Sequence, residues 1–189
     1  MYTRQSEHRQ RSTPTCNYNQ TDIHKDIRLS NRFSHFSSWN SLVRAITLLK
    51  QVVLKLHDTS PPSRTEVERF IIKTVQREVF STELHSVTTG MRLSTQSDIP
   101  PLSPVLDQHN ILRVGGRVKH AKVFTEHLQP IIIPKKHHLA VLLVRHFHQL
   151  IFHQGRHITE GALRLAGYWV IGSKRLVAMI IKQCVTCKK

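Results

Sequence analysis

Apolar residues recur at every third or fourth position in two stretches of the first half of the chain, a spacing that predicts amphipathic helices. The first stretch extends from Arg32 to His57, with apolar positions at Leu42, Ile46, Leu49, Val53 and Leu56. The second begins with Thr65 and Glu68 at capping-box spacing, and its apolar face comprises Val67, Ile71, Val75 and Val79. The pattern therefore predicts two helices within residues 31–96.

The hydrophobic pattern changes after SDIPPLSP at 97–104. We expect this segment to be a linker at the main domain boundary, since proline fits poorly inside a helix or a central strand. NILRVGGRVKH has β-type residues on both sides of Gly115-Gly116, which is a hairpin signal. PIIIP at 130–134 predicts a short strand that pairs with the hairpin. Residues 105–133 are thus predicted to form a small β element.

Helical spacing returns from Lys135 to Leu150, with apolar positions at Leu139, Leu142, Leu143, Phe147 and Leu150. A shorter helix is predicted next, with Thr159 as its N-cap and Gly167 as its stop. The last helix is predicted from Ser173 to about Gln183, with its inward face at Leu176, Val177, Ile180 and Ile181. The predicted fold is mostly α with a small β element, in which a short β-hairpin precedes a helical bundle at 134–189.

The first thirty residues differ from the rest, because they are rich in Arg, Gln, Ser, Thr and Asn and poor in apolar side chains. Such a composition predicts a disordered basic and polar tail at 1–30. The opening contains no apolar segment of the kind found in secretory signals. The longest apolar run, LAVLLV at 139–144, is too short to cross a bilayer. With three cysteines and no disulfide framework, we expect an intracellular protein of the nucleus or cytoplasm that is not secreted and contacts no membrane.

The net charge of +16, with an isoelectric point near 10.5, indicates a polyanionic partner, of which nucleic acid is the commonest. From Pro134 to the end there are ten lysines and arginines and a single acid, Glu160. The alternative is a solubilising charge or a basic targeting tail. The uneven distribution favours nucleic acid bound by the C-terminal part of the chain.

Four residues in this basic part have the chemistry of a zinc site: His148, His153, Cys184 and Cys187. On a continuous helix the two histidines would point about 140° apart, so the helix must end near Leu150, and Gly155 follows to permit a turn. We predict one structural Zn²⁺ with four protein ligands. Two alternatives are a redox C-x-x-C motif, which needs a helix opening at its first cysteine, and His157 as a substitute ligand.

HFHQLIFHQGRHITEGALRLAGYWVIGSKRLVAMIIKQCVTC, at 146–187, resembles the HHCC zinc-binding domain at the N-terminus of retroviral and retrotransposon integrases. The matching features are H-x4-H, the following glycine, Thr159, Trp169 after an aromatic residue, and C-x2-C. The upstream motifs VQREVF, LSPVLDQHNILRVGGRVKHA and QPIIIPKKHHL resemble BEL/Pao-type retrotransposon polyproteins, between the RNase H region and the integrase core. The resemblance covers roughly residues 31–189.

The resemblance implies that an RNase H-like catalytic core with an Asp, Asp, Glu cluster would follow Lys189. Beyond Glu126 the only carboxylate in the sequence is Glu160, whereas two-metal phosphoryl transfer needs several acids. We therefore expect no enzyme but a non-catalytic fragment of a retroelement polyprotein. Its expected function is to bind nucleic acid non-specifically, to support integrase assembly in DNA integration, or both. A self-association module that does not bind DNA is the alternative, and a decayed copy without function is a third possibility.

The expected partner is DNA, held through its phosphate backbone without sequence readout; a second copy or a retroelement integrase is a further expected partner, and a small-molecule substrate is not expected. The predicted contacts are basic residues of the C-terminal part: Lys135, Lys136, Arg156, Arg164, Lys174, Arg175 and Lys182. The alternative is that they form only the solvated faces of amphipathic helices.

Overall fold

A computed structural model describes residues 29–55, 60–115 and 129–188. Six helices lie in these ranges: α1 Trp39–Lys55, α2 Arg64–Val79, α3 Ser81–Thr89, α4 His138–Leu150, α5 Arg156–Leu165 and α6 Ser173–Gln183. The strands are β1 Val105–Leu106, β2 Leu112–Arg113, β3 Ile131–Ile133 and β4 Tyr168–Val170, and 3-10 helices span Leu29–His35 and Pro100–Leu102. The mostly helical fold with a small β element is thereby confirmed. The predictions for residues 1–28, including Cys16, for Leu56 and for Gly116 lie outside the described residues.

The first predicted helix is two elements in the structure. A 3-10 helix begins at Leu29, inside the range predicted as a tail, and α1 starts only at Trp39. Ser38 separates them, because its hydroxyl oxygen accepts from the backbone N–H of Ser41 at 3.1 Å, which is an N-cap interaction. The predicted apolar stripe is buried in its first half alone: Leu42 is fully buried, whereas Leu49 is 55% exposed.

The second predicted helix is also divided. Its capping box joins Ser63 and Glu66 rather than Thr65 and Glu68. Phe80, with φ −114° and ψ 33°, interrupts the helix between α2 and α3. The interruption buries the Phe80 ring in a small cluster with Ile99, Leu112 and Ile132.

The segment at 97–104 is packed against the rest of the protein. Ile99 is fully buried, and the carbonyls of Leu102 and Ser103 both accept from the N–H of Gly115 at 3.1 Å. The main apolar core contains residues from both sides of this segment, from Phe33 to Ile180. One apolar core therefore has residues on both sides of the predicted linker, and the domain boundary expected there stays a prediction.

The strands form one sheet in the order β1-β2-β3-β4. The hairpin β1–β2 is antiparallel and turns at residues 107–110, a turn that the sequence did not indicate. The turn forms there because the Asp107 carboxylate accepts from the N–H groups of His109 and Ile111 at 2.9 Å each. The isoleucine strand β3 pairs antiparallel with β2, through Arg113 and Ile131; the second arm of the hairpin predicted around Gly115-Gly116 lies outside the described residues.

Strand β4 pairs with β3 in parallel, with Ile132 opposite Trp169. The connection between these strands contains α4 and α5, so the sheet and the three C-terminal helices form one unit. Leu139, Leu142 and Val177 are fully buried where the helices pack. Among the described residues, no helix is both long and apolar enough to cross a membrane.

Candidate metal centre and basic cleft

The two histidines meet because the chain reverses directly after α4. His148 lies in the last turn of α4 and is 2% exposed. Phe152 and His153 then adopt left-handed backbone conformations, with φ 54° and 64°, at a cost of about 1 kcal/mol each for residues with a Cβ. The N–H of His153 donates to the carbonyl of His148 at 3.0 Å. The turn therefore brings the second imidazole back beside the first, with ring centroids 4.5 Å apart.

The two cysteines approach from α6. This helix ends at Gln183, and Cys184 leaves it in an extended conformation with φ −71° and ψ 122°. The N–H of Lys188 donates to the carbonyl of Cys184 at 3.2 Å, which closes a turn around Cys187. Because Val177 and Ile180 are buried, α6 is fixed against the core and its C-terminal end lies beside the end of α4.

The four ligand atoms converge on one point. The His148 Nε2 to His153 Nδ1 distance is 2.9 Å. The sulfur-to-nitrogen distances are 3.2 Å for Cys184–His153, 3.3 Å for Cys187–His148 and 3.8 Å for Cys187–His153. All four atoms lie within 4.8 Å of one another. Around a tetrahedral zinc ion, bond lengths near 2.0 and 2.3 Å separate such atoms by about 3.3 to 3.8 Å. The group can therefore hold a metal ion.

Thr159 orients the first histidine, a function that the sequence did not reveal. It is fully buried, and it is not the N-cap of α5, since Gly155 occupies that position. Its hydroxyl donates to the carbonyl of Gly155 at 2.7 Å, so its oxygen is left to accept from His148 Nδ1 at 3.4 Å. The proton on Nδ1 leaves Nε2 free to bind a cation.

Three residues of the group, His148, Cys184 and Cys187, have shifted pKa values. Burial lowers the pKa of His148, and the charge of His153 lowers it further, which favours the neutral imidazole. Hydrogen bonds from the backbone of Cys187 and Thr186 lower the pKa of Cys184. Desolvation and the hydrogen bond with Cys184 raise the pKa of Cys187. The pKa shifts of His148 and Cys184 therefore favour the neutral imidazole and the thiolate, the forms that bind a metal ion.

His157, the alternative ligand, is exposed and does not belong to this group. Within the described ranges, no further set of three or more His, Cys, Asp or Glu residues has ligand atoms this close together. The C-x-x-C motif follows α6 instead of opening a helix, which argues against the redox alternative.

Five of the seven predicted nucleic-acid contacts line one cleft of about 800 Å³: Lys135, Lys136, Arg164, Lys174 and Arg175. Arg156 and Lys182 do not line it. Glu160 also lines the cleft, and its carboxylate lies 3.8 Å from Arg156 Nε and 4.0 Å from an Arg164 nitrogen. Trp169 also lines the cleft, and the sequence motif YWVIG gave no indication of its position there.

Comparison with known proteins finds no matching family model, no similar curated protein and no similar solved structure. The fold and the site define a mostly helical protein with a His₂Cys₂ group that can bind a metal ion.

Proposed function

We propose that His148, His153, Cys184 and Cys187 bind one zinc ion that stabilises the fold. The donor set supports zinc, because thiolate and imidazole together suit this ion and four protein ligands leave no position for a catalytic water. The role is structural, since the ion ties the end of α6 to the turn after α4. The motif order His, His, Cys, Cys is that of the integrase HHCC domain, the family that the sequence resembles.

We further propose that the protein is a non-catalytic, integrase-type module that binds nucleic acid through its phosphates. The observation that carries this proposal is the convergence of five basic side chains, from three separate segments of the chain, on one cleft. A net charge of +16 supports it, because phosphate contacts by Lys and Arg dominate non-specific affinity. In a retroelement polyprotein, such a module would serve DNA integration.

Binding of fluorescent DNA at several salt concentrations tests this proposal. Replacing Lys174 and Arg175 by alanine should weaken binding to all sequences alike and reduce the salt slope by about 2. The matched control replaces Arg44 and Arg92, which are exposed and lie outside the cleft. This control removes the same charge but should retain most of the affinity. Equal losses in both variants would mean that the charge acts globally and that the cleft is not the site.

Self-association is the second candidate function, and one observation favours it. The C-terminal half of α1 exposes four aliphatic side chains, each by about half or more: Leu48, Leu49, Val52 and Val53. Contiguous apolar surface of this kind often marks a protein interface, here with a second copy. Sedimentation over a range of concentrations should detect a dimer that Leu48→Gln with Val52→Gln abolishes. A monomer at every concentration would exclude this function.

A further inference from the structure

We infer that the basic cleft binds single-stranded nucleic acid, with an unpaired base stacked on Trp169 and the flanking phosphates beside Lys136, Lys174 and Arg175. The inference rests on the proposed nucleic-acid function and specifies its ligand. Two observations carry it, namely the position of the indole and the distribution of charge within the cleft.

Trp169 is a large aromatic residue that the core does not use. Side chains alternate in direction along β4. Val170 belongs to the main core and Tyr168 packs against it, so both point to the side opposite Trp169. Trp169 is half-buried and, among the described residues, is a member of neither core cluster. The guanidinium carbon of Arg164 lies 5.2 Å from the centroid of the indole ring. An aromatic ring beside an arginine in a basic groove is the arrangement that stacks unpaired bases.

The charges of the cleft separate the positions of phosphate and base. Lys174 and Arg175 lie in the first turn of α6, where Gly172 with φ 71° is an N-cap without a side-chain hydrogen bond. The first backbone N–H groups of this helix add to the positive potential. Lys136 also lines the cleft, whereas Lys135 is already paired with Asp98 at 2.7 Å. These groups favour a phosphate beside the first turn of α6.

Glu160 is the one acidic residue among those that line the cleft. It is 7% exposed, and its Oε1 has no hydrogen-bond partner among the described residues. Its negative charge disfavours a phosphate beside it, so we expect a nucleotide to place its phosphates near Lys174 and Arg175 and its base against Trp169. Duplex DNA cannot bind in this way, because its bases are already stacked within the helix.

Anisotropy measurements with the zinc-loaded full chain test the inference, using a short labelled single strand and the corresponding duplex. We expect tighter binding of the single strand. Trp169→Ala should weaken that binding by about five- to a hundredfold, while Trp169→Phe retains most of it. The matched control is Phe70→Ala, since Phe70 is a partly exposed ring with a cation, Lys50 Nζ, 4.3 Å from its centroid. It should bind like the unmodified protein.

Tryptophan fluorescence of the unmodified protein provides a second measurement that needs no variant. The other tryptophan, Trp39, is 2% exposed, so quenching by the single strand reports on Trp169. Duplex bound as tightly as single strand, absence of quenching, or unchanged affinity of Trp169→Ala would each overturn the inference. Each of these results is compatible with binding of nucleic acid through its phosphates. If the protein binds neither the single strand nor the duplex, the proposed nucleic-acid function is wrong.

Discussion

The side chain of Gln76 binds the backbone of Leu112 twice. Its Oε1 accepts from the Leu112 N–H at 2.7 Å, and its Nε2 donates to the Leu112 carbonyl at 3.0 Å. The same Nε2 donates to the carbonyl of Ile132 at 2.8 Å. A single amide, 1% exposed, thereby connects α2 to both β2 and β3.

Replacing Gln76 by leucine should destabilise the protein by about 3 kcal/mol or more. Three buried backbone groups would lose their partner, and each unsatisfied group costs about 1 to 3 kcal/mol. Urea denaturation measures the free energy of unfolding. The control is Gln96→Leu, which makes the same change at an exposed position and should alter stability little. Similar free energies of unfolding for the two variants would show that the hydrogen bonds of Gln76 do not stabilise the protein.

Removal of zinc should destabilise the C-terminal unit. Structural zinc contributes on the order of 10 kcal/mol in small domains, so chelation should lower the melting temperature and the helical signal of residues 135–189. Elemental analysis should find about one zinc per chain. Cys184→Ser and His153→Ala should resemble the chelated protein, whereas His157→Ala should keep its metal. A metal-free preparation with unchanged helicity and melting would contradict the prediction.

Thr159→Val should weaken zinc binding by about ten- to a hundredfold, the usual effect of losing a partner that orients a metal-bound histidine. Valine has nearly the same shape but cannot accept from His148 Nδ1. Competition with a chromophoric chelator measures the affinity. Thr159→Ser, which keeps the hydroxyl, should bind zinc almost normally. Equal affinities of the valine variant and the unmodified protein would show that this hydrogen bond is dispensable.

The Asp107–Arg113 pair should make stability fall in acid. Burial opposes ionisation of Asp107, but hydrogen bonds from Arg113 at 2.7 Å and from the N–H groups of Ile111 and His109 outweigh it, so its pKa is lowered. A lowered pKa stabilises the fold above the ordinary value of 3.8, and this contribution disappears as pH falls through the folded-state value.

Asp107→Asn tests this contribution by comparison with the unmodified protein. At neutral pH, the variant should lose about 1.5 to 3 kcal/mol, the range for a hydrogen bond to a charged group. The difference in unfolding free energy should shrink as the pH is lowered below about 4. A difference that stays constant down to the most acidic measurable pH would contradict the assignment.

Local patterns predicted the end of α4, the bounds of α6 and the grouping of His148, His153, Cys184 and Cys187, but they placed the N-cap of α5 at Thr159 instead of Gly155. The last helix was predicted from Ser173 to about Gln183 and has those bounds, and α4 ends at Leu150. These predictions succeeded because helical periodicity, glycine stops and ligand chemistry all depend on nearby residues. The four ligands could be named from residue type and spacing alone, once the helix was expected to end between the histidines.

Other features depended on contacts between distant segments and could not be predicted. The capping box of α2 is a local feature that the sequence also left open, because Thr65 and Glu68 have the same spacing as Ser63 and Glu66. The division of the second helix follows from burial of Phe80 beside Ile99 and Ile132. The indole of Trp169 faces the basic cleft only because β4 adds to the sheet beside β3.

The parallel pairing of β3 with β4 makes the segment that contains the His₂Cys₂ group depend on a strand that precedes it in the chain. A chain cut at Pro134 would lose Ile131–Ile133 and leave Tyr168–Val170 without the strand that it pairs with. It would also lose Phe33, Leu42 and Ile71, which share the core with the C-terminal helices. Genetic exchange of residues 134–189 between proteins would therefore transfer the His₂Cys₂ group without the strand and the core residues that support it.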